Sequence, residues 1–272
     1  MKPILVFHSN SELLEGPVFD PTHHLLYFVS ILEGLVYCLN PSSKEISSVQ
    51  LDSPVGCVFI TGKKRVVAAS KNGFFSIDFN TLQKQFVYQI DIGNSVRFND
   101  GIQDSKGRFL VGTMGYPQVV EKLGTVFSYF NGQHKSIIER TTISNGLAFS
   151  KDESILYFID TPTQKVAKYN YDLKSGETVF DSYVIELKEI GSPDGMCMDE
   201  EGMLWIAEWG GGKVSRWNPV AGKKIEEKTL PCTNVTSCCL DDKGNLFITT
   251  AKSETEEGIY GGALYYLELN KV

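Results

Sequence analysis

The sequence predicts an all-β protein, a six-bladed β-propeller that fills residues 1–272 as one domain. Three observations lead there. One segment pattern recurs six times, a turn signal recurs in register inside the repeats, and long helical periodicity is missing throughout. The repeats begin, in chain order, with EGPVFDPTHHLLYFVSI from Glu15, the weaker VGCVFITGKKRVVAAS from Val55, NDGIQDSKGRFLVGTM from Asn99, NGLAFSKDESILYFID from Asn145, DGMCMDEEGMLWIAE from Asp194 and TSCCLDDKGNLFITT from Thr236. Their phase markers are Gly16, Gly56, Gly101, Gly146, Gly195 and Ser237, spaced by 40, 45, 45, 49 and 42 residues. A period in the forties with about four strands per repeat is a propeller blade.

Each repeat reads as a small polar pair, a short apolar strand, a turn and a second strand rich in Leu, Phe, Tyr and Trp. The turn is Asp104-x-x-Gly107, Asp199-x-x-Gly202 and Asp241-x-x-Gly244 in repeats three, five and six. Asp opens such a turn with its side chain, and Gly takes the positive φ of the hairpin loop. Residues 3–7 (PILVF) form a lone strand ahead of the first repeat, expected to complete the last blade.

Composition narrows the function classes. With 42% hydrophobic and 22% charged residues the chain is of the globular kind rather than disordered or fibrous. Net charge is −7 and no basic stretch exceeds Lys63-Lys64-Arg65, so a nucleic-acid partner is not expected. The longest apolar run near the start, Leu25 to Val29, falls far short of the roughly 18 residues of a membrane span. Residues 1–8 lack the h-region and cleavage site of a signal peptide, which predicts a cytoplasmic protein without a membrane partner. The six cysteines include no C-x-x-C pair and are read as reduced thiols packed as small hydrophobes.

No G-x-S-x-G, H-E-x-x-H, P-loop or dinucleotide signature occurs, and His8, His23, His24 and His134 lie outside the repeat starts. His23 and His24 are expected as solvated turn residues. The residues just before the phase markers are Glu15, Val55, Asp100, Asn145, Asp194 and Thr236. First strands of propeller blades line the central axis, so these side chains are expected to converge at one height. Carboxylates crowded into a narrow channel either rise in pKa or gather a cation. Oxygen donors without His or Cys suit a hard divalent ion such as Ca²⁺, Mg²⁺ or Mn²⁺. Taken singly, Asn-Gly and Asp-Gly are turn dipeptides; it is their recurrence at one phase that favours a site. Arg97, two residues before Asn99, offers a fork of donors for oxygen-rich groups, or is an exposed loop arginine. Trp205 and Trp209 are expected to pack within a blade.

These residues resemble a known family. RFNDG (97–101), GTM (112–114), ISNGL (143–147), PDGMCMDEEGMLWIA (193–207) and TSCC (236–239) are similar to the signature blocks of the SMP-30/gluconolactonase/luciferin-regenerating family, in order and spacing from Leu14 to about Leu269. The resemblance implies a six-bladed propeller with one divalent cation (Ca²⁺ first, then Mg²⁺, Mn²⁺ or Zn²⁺) that hydrolyses sugar lactones. It assigns the metal ligands to Glu15, Asn145 and Asp194 and the substrate contacts to Arg97 and Asn99. Where several members carry an acidic residue after GTM, this chain has Gly115-Tyr116-Pro117, and its next acid is Glu121. The expected activity is opening of a sugar γ- or δ-lactone to its aldonic acid, with Asp194 as ligand and general base. The expected partner is a small-molecule lactone, and the expected state a monomer or weak homo-oligomer. The alternatives are a phosphotriesterase-like metal hydrolase and a non-catalytic calcium-binding propeller.

Overall fold

The structure is a computed structural model describing residues 2–9, 11–253 and 261–269. Its described residues are almost all strand, in six four-stranded sheets, the six blades of a β-propeller fold. The strands are β1 (Ile4–His8), β2 (Leu14–Asp20), β3 (Leu25–Ser30), β4 (Leu35–Leu39), β5 (Ile46–Gln50), β6 (Val55–Gly62), β7 (Arg65–Ser70), β8 (Gly73–Asp78), β9 (Gln83–Tyr88), β10 (Val96–Gln103), β11 (Phe109–Gly115), β12 (Gly124–Phe130) and β13 (Gln133–Thr141). They continue as β14 (Ser144–Phe149), β15 (Ile155–Asp160), β16 (Lys165–Asp172), β17 (Glu177–Glu186), β18 (Ser192–Met198), β19 (Leu204–Trp209), β20 (Lys213–Asn218), β21 (Lys223–Thr229), β22 (Val235–Leu240), β23 (Leu246–Thr250) and β24 (Ala263–Leu267). The only helical element among the described residues is a single 3₁₀ turn, Thr161–Thr163. None is long and apolar enough to cross a membrane.

The chain divides into two compact units, Glu15–Ser144 and residues 1–14 with 145–272. The first holds sheets β2-β3-β4-β5, β6-β7-β8-β9 and β10-β11-β12-β13. The second holds β14-β15-β16-β17, β18-β19-β20-β21 and β22-β23-β24-β1. In that last sheet β1 lies antiparallel to β24, pairing Ile4 with Tyr266 and His8 with Ala263. The lone N-terminal strand thus supplies the fourth strand of blade six, as the sequence predicts.

Pattern follows burial. Strands buried on both faces read as unbroken apolar runs, as in β3 (LLYFVS) and β11 (FLVGTMG), where every residue is buried. The outermost strand β21 (KKIEEKT) alternates strictly between exposed and half-buried positions. Neighbouring blades are glued by aliphatic and aromatic layers. Phe59, Phe74, Phe98 and Phe109 join blades two and three, with Phe59 and Phe109 stacked at 4.3 Å. Trp205, Val214, Cys238, Ile248 and Tyr265 join blades five and six.

The three Asp-x-x-Gly turns are superimposable in their bonding. Asp104 Oδ1 accepts from Lys106 N and Arg108 N at 3.0 and 2.8 Å. Asp199 Oδ1 does the same for Glu201 and Met203, and Asp241 Oδ1 for Lys243 and Asn245. Gly107, Gly202 and Gly244 take φ of 83°, 78° and 77°. All six cysteines are free thiols; Cys38, Cys57, Cys232 and Cys238 are buried, Cys197 and Cys239 half-buried. The histidine expectation needs adjustment: His23 is half-buried, its Nδ1 2.7 Å from Asp20 Oδ2, while His24 is exposed.

Candidate functional site

The Asn-Gly and Asp-Gly pairs lie within strands β10, β14 and β18, so the turn reading fails for them. Four first strands change register at the repeat phase: β6 between Val55 and Cys57, β10 between Phe98 and Gly101, β18 between Pro193 and Met196, and β22 between Val235 and Ser237. A bulge there puts two residues opposite one and re-aims a side chain out of the ladder. The following glycine is required by close approach. An alanine Cβ at Gly195 would lie 2.0 Å from Ser237 Oγ, at Gly146 2.6 Å from Asp194 O, and at Gly56 2.5 Å from the Phe98 carbonyl carbon. Gly56, Gly146 and Gly195 therefore pack directly on the next blade's first strand.

In the Glu15–Ser144 unit the phase residues are acidic or apolar. Glu15 is 6% exposed, its Oε2 accepting from Gly16 N at 2.8 Å. Half-buried Asp100 likewise accepts from Gly101 N at 2.7 Å. Burial, then the charge of Asp100, pushes the Glu15 carboxyl well above the carboxylate range, with Arg97 and the Gly16 amide opposing. Loss of solvation also raises Asp100. The buried Cys57 thiol beside them is held neutral by burial and by both acids. Arg97 is buried in β10, 5% exposed, so the loop reading fails. Its Nη1 donates to Phe98 O at 2.9 Å and to Asn99 Oδ1 at 2.7 Å. Asn99 Nδ2 in turn donates to Ser144 O at 3.0 Å. Arg97 and Asn99 are thus one locked pair.

In the other unit the phase residues are Asn145, Asp194 and Thr236, all 5% exposed or less. Asn145 Nδ2 donates to Thr161 Oγ1 at 2.8 Å, and Thr161 Oγ1 donates to Pro193 O at 2.9 Å. A carbonyl only accepts, so the hydroxyl proton is committed to Pro193 and its lone pair receives the amide N–H. The Asn145 Oδ1 therefore faces away from Thr161. Thr236 Oγ1 donates to Leu14 O at 2.6 Å. Thr161 is a residue the sequence reading missed; a hydroxyl just past the strand end at Asp160 carries no signal of its own.

The donor chemistry fits a hard divalent cation: a carboxylate at Glu15, an amide oxygen at Asn145 and a carboxylate at Asp194, all withdrawn from water. Among the described residues no group of three or more His, Cys, Asp and Glu side chains gathers. The segment after GTM carries no substitute acid. Glu121 is exposed and bonded to Lys122, Pro117 is exposed, and the Tyr116 ring lies 5.2 Å from Lys71 Nζ. Trp205 is buried as expected, whereas Trp209 is 39% exposed.

Six blades, four of them with a register shift at the repeat phase and four presenting a buried oxygen side chain there (Glu15, Asn145, Asp194 and Thr236), define the class, a six-bladed propeller with a polar repeat phase. The chain belongs to the SMP-30/gluconolactonase/LRE-like family, whose model matches residues 13–252. It is 35% identical to regucalcin of Xenopus laevis over 89% of this chain and 84% of that one. It is 34% identical to human regucalcin over 91% and 86%. Among solved structures it resembles a calcium-binding protein, regucalcin, from Agrobacterium tumefaciens (TM-score 0.90, 23% identity, 98% and 93% covered). It also resembles a luciferin-regenerating enzyme (0.87, 22%, 97% and 95%) and a gluconolactonase of Xanthomonas campestris (0.79, 18%, 98% and 89%), likenesses of fold.

Proposed function

We propose that the protein is a divalent-cation-dependent lactonase that opens sugar γ- or δ-lactones to aldonic acids, with Glu15, Asn145 and Asp194 as the ligands. The supporting observation is the oxygen-only donor set at one repeat phase, in which Glu15 is buried beside Asp100 with its carboxyl destabilised as an anion. A cation is the partner that such a carboxylate lacks. Family membership and the likeness to a gluconolactonase support the substrate class.

When bound, the ion supplies Lewis-acid polarisation of the lactone carbonyl and charge stabilisation of the developing oxyanion. Asp194 takes the proton of the attacking water, and its buried setting keeps competing solvent away. Arg97, anchored through Phe98 O and Asn99, supplies a positive guanidinium already held in place beside the oxygens of the lactone. Glu15 and Asn145 serve as ligands alone. Without an acid after GTM, a distal hydroxyl loses one charged acceptor, worth roughly 1.5–3 kcal/mol or about ten- to a hundredfold in selectivity. Broad lactone use with weak epimer preference is expected, and Pro117→Glu should sharpen it through kcat/KM. The physiological partner in this reading is a small lactone met in the cytoplasm, with no nucleic acid or membrane involved and the chain a monomer or weak homo-oligomer.

The test is a panel of aldonolactones assayed by acid release after chelation, with Ca²⁺, Mg²⁺, Mn²⁺ and Zn²⁺ added back singly. Restored turnover on at least one lactone is the expected result. Faster turnover of an organophosphate than of any lactone would favour a phosphotriesterase. Tight Ca²⁺ binding without turnover would favour a calcium-binding propeller, a reading to which the Agrobacterium neighbour lends weight.

A further inference from the structure

Three backbone carbonyls stand immediately before the three proposed ligands: Leu14 before Glu15, Ser144 before Asn145 and Pro193 before Asp194. Each accepts a hydrogen bond from a side chain of another blade. Thr236 Oγ1 donates to Leu14 O, Asn99 Nδ2 to Ser144 O, and Thr161 Oγ1 to Pro193 O, at 2.6, 3.0 and 2.9 Å. Peptide planes are rigid, so holding the carbonyl before a residue leaves only rotation about its N–Cα bond and narrows the directions in which its Cα–Cβ bond can leave the strand. β18 has particular need of such fixing, because its register shifts between Pro193 and Met196 and the extra residue has lost its ladder partner.

Thr161 does more than its two counterparts. By donating to Pro193 and accepting from Asn145 Nδ2, it sets which end of the Asn145 amide is presented. The turn that carries it is bolted to β18 at a second point, Gln164 Nε2 to Ser192 Oγ at 2.9 Å. Pro162 and the left-handed Gln164 (φ 58°) hold that turn in shape.

We infer that Thr161 and Thr236 are positioning residues for the cation site, Thr161 fixing both the peptide ahead of Asp194 and the polarity of the Asn145 amide, Thr236 fixing the peptide ahead of Glu15. This rests on the cation reading above. Residues that orient metal ligands are worth about ten- to a hundredfold in affinity. Loss of the Thr161 hydroxyl removes the acceptor that favours one orientation of the Asn145 amide over the other.

The experiment measures Ca²⁺ and Mn²⁺ dissociation constants by calorimetry on chelated, full-length wild type, Thr161→Val, Thr161→Ser and Thr236→Val. Thr161→Val is expected to weaken binding about ten- to a hundredfold, Thr236→Val less, and Thr161→Ser hardly at all. An Asp at position 145 has oxygen at both ends, so in an Asn145→Asp background the Thr161→Val penalty should shrink to about threefold or less. Equal affinity in wild type and Thr161→Val, or an undiminished penalty in the Asn145→Asp background, would overturn the inference. Thr161→Ala replaces the valine variant if the latter does not fold. The Asn145 side-chain amide protons, followed by NMR in cation-free protein, give a readout independent of metal. They should exchange about tenfold or more slowly in wild type than in Thr161→Val. A wild type that binds no cation but shows this difference sinks the cation reading and leaves Thr161's orienting role standing; equal exchange sinks the orienting role.

Discussion

In the unit spanning residues 15–144 the repeat phase is occupied by Glu15, Val55 and Asp100, whereas in the other it is occupied by Asn145, Asp194 and Thr236. The first unit sets two acids near each other in a poorly solvated place, relieved in part by Arg97. The second has one acid, an amide and a hydroxyl, with Asn145 and Thr236 bonded to blade neighbours. Bulge and close-packed glycine are shared, so backbone geometry does not separate the two. Side-chain charge does: one half holds two acids that burial and mutual repulsion disfavour as anions, and the other a single acid beside an oriented amide and hydroxyl.

The largest effect expected is at Asp194. Asp194→Ala should lower lactone turnover by about 10³-fold or more, since under the proposed function it removes a ligand and the general base together. Glu15→Gln should weaken cation binding to a similar degree and spare the fold. Full activity in either variant would break the comparison outright.

The charge contrast can be exchanged between units. Asp100→Asn keeps the oxygen that accepts from Gly101 N and removes the like charge facing Glu15. In chelator it should stabilise the protein by on the order of 1–2 kcal/mol in urea unfolding, and Asn145→Asp should destabilise it by a similar amount. Shifts of the same sign would mean that the halves do not differ as described.

Packing at the phase gives the next contrast. Gly195→Ala drives a Cβ into Ser237, and should cost about 1–3 kcal/mol and distort the strand just after Asp194. Gly202→Ala, in the hairpin turn of the same blade, meets nothing within 4 Å and bears only its positive φ, about 1 kcal/mol. Activity should fall in the first variant and persist in the second.

The smallest effect separates a buried glutamate from an exposed one. Glu189 is pulled down to about 2 by hydrogen bonds from Lys213 and Lys224, opposite in sign to Glu15. A carboxyl with a depressed folded pKa stabilises fully above its unfolded value, near 4.5, and loses that contribution as pH falls toward 2. Glu189→Gln should flatten this part of the acid unfolding curve only slightly, because the side chain is 58% exposed.

Much of this was legible in the sequence. The blade count, the three Asp-x-x-Gly turns and the closure of blade six by residues 3–7 follow from spacing and pattern, because strand period and turn chemistry are local. The repeat phase of Glu15, Asn145 and Asp194 was legible for the same reason. The role of the glycines was not: Gly146 and Gly195 look like turn residues until the neighbouring blade's backbone is in place. Burial of Arg97 and its lock on Asn99 was hidden likewise, and so was Thr161, whose partners lie 16 and 32 residues away. The Arg97–Asn99 lock lies within β10, the Thr161–Asn145 bond within blade four and the Thr161–Pro193 bond between blades four and five; none recurs around the repeats, so a repeat pattern is silent on all three.

The central claim is the proposal that lactone opening by this protein depends on one divalent cation, with Asp194 among its ligands. Calorimetric titration of chelated wild-type protein with Ca²⁺, run beside Asp194→Ala and paired with a lactonase assay of each sample, tests it most directly. One ion per chain in wild type, with turnover rising along the binding isotherm and both lost in the variant, is the predicted result. Lactone hydrolysis at full rate after exhaustive chelation would contradict it.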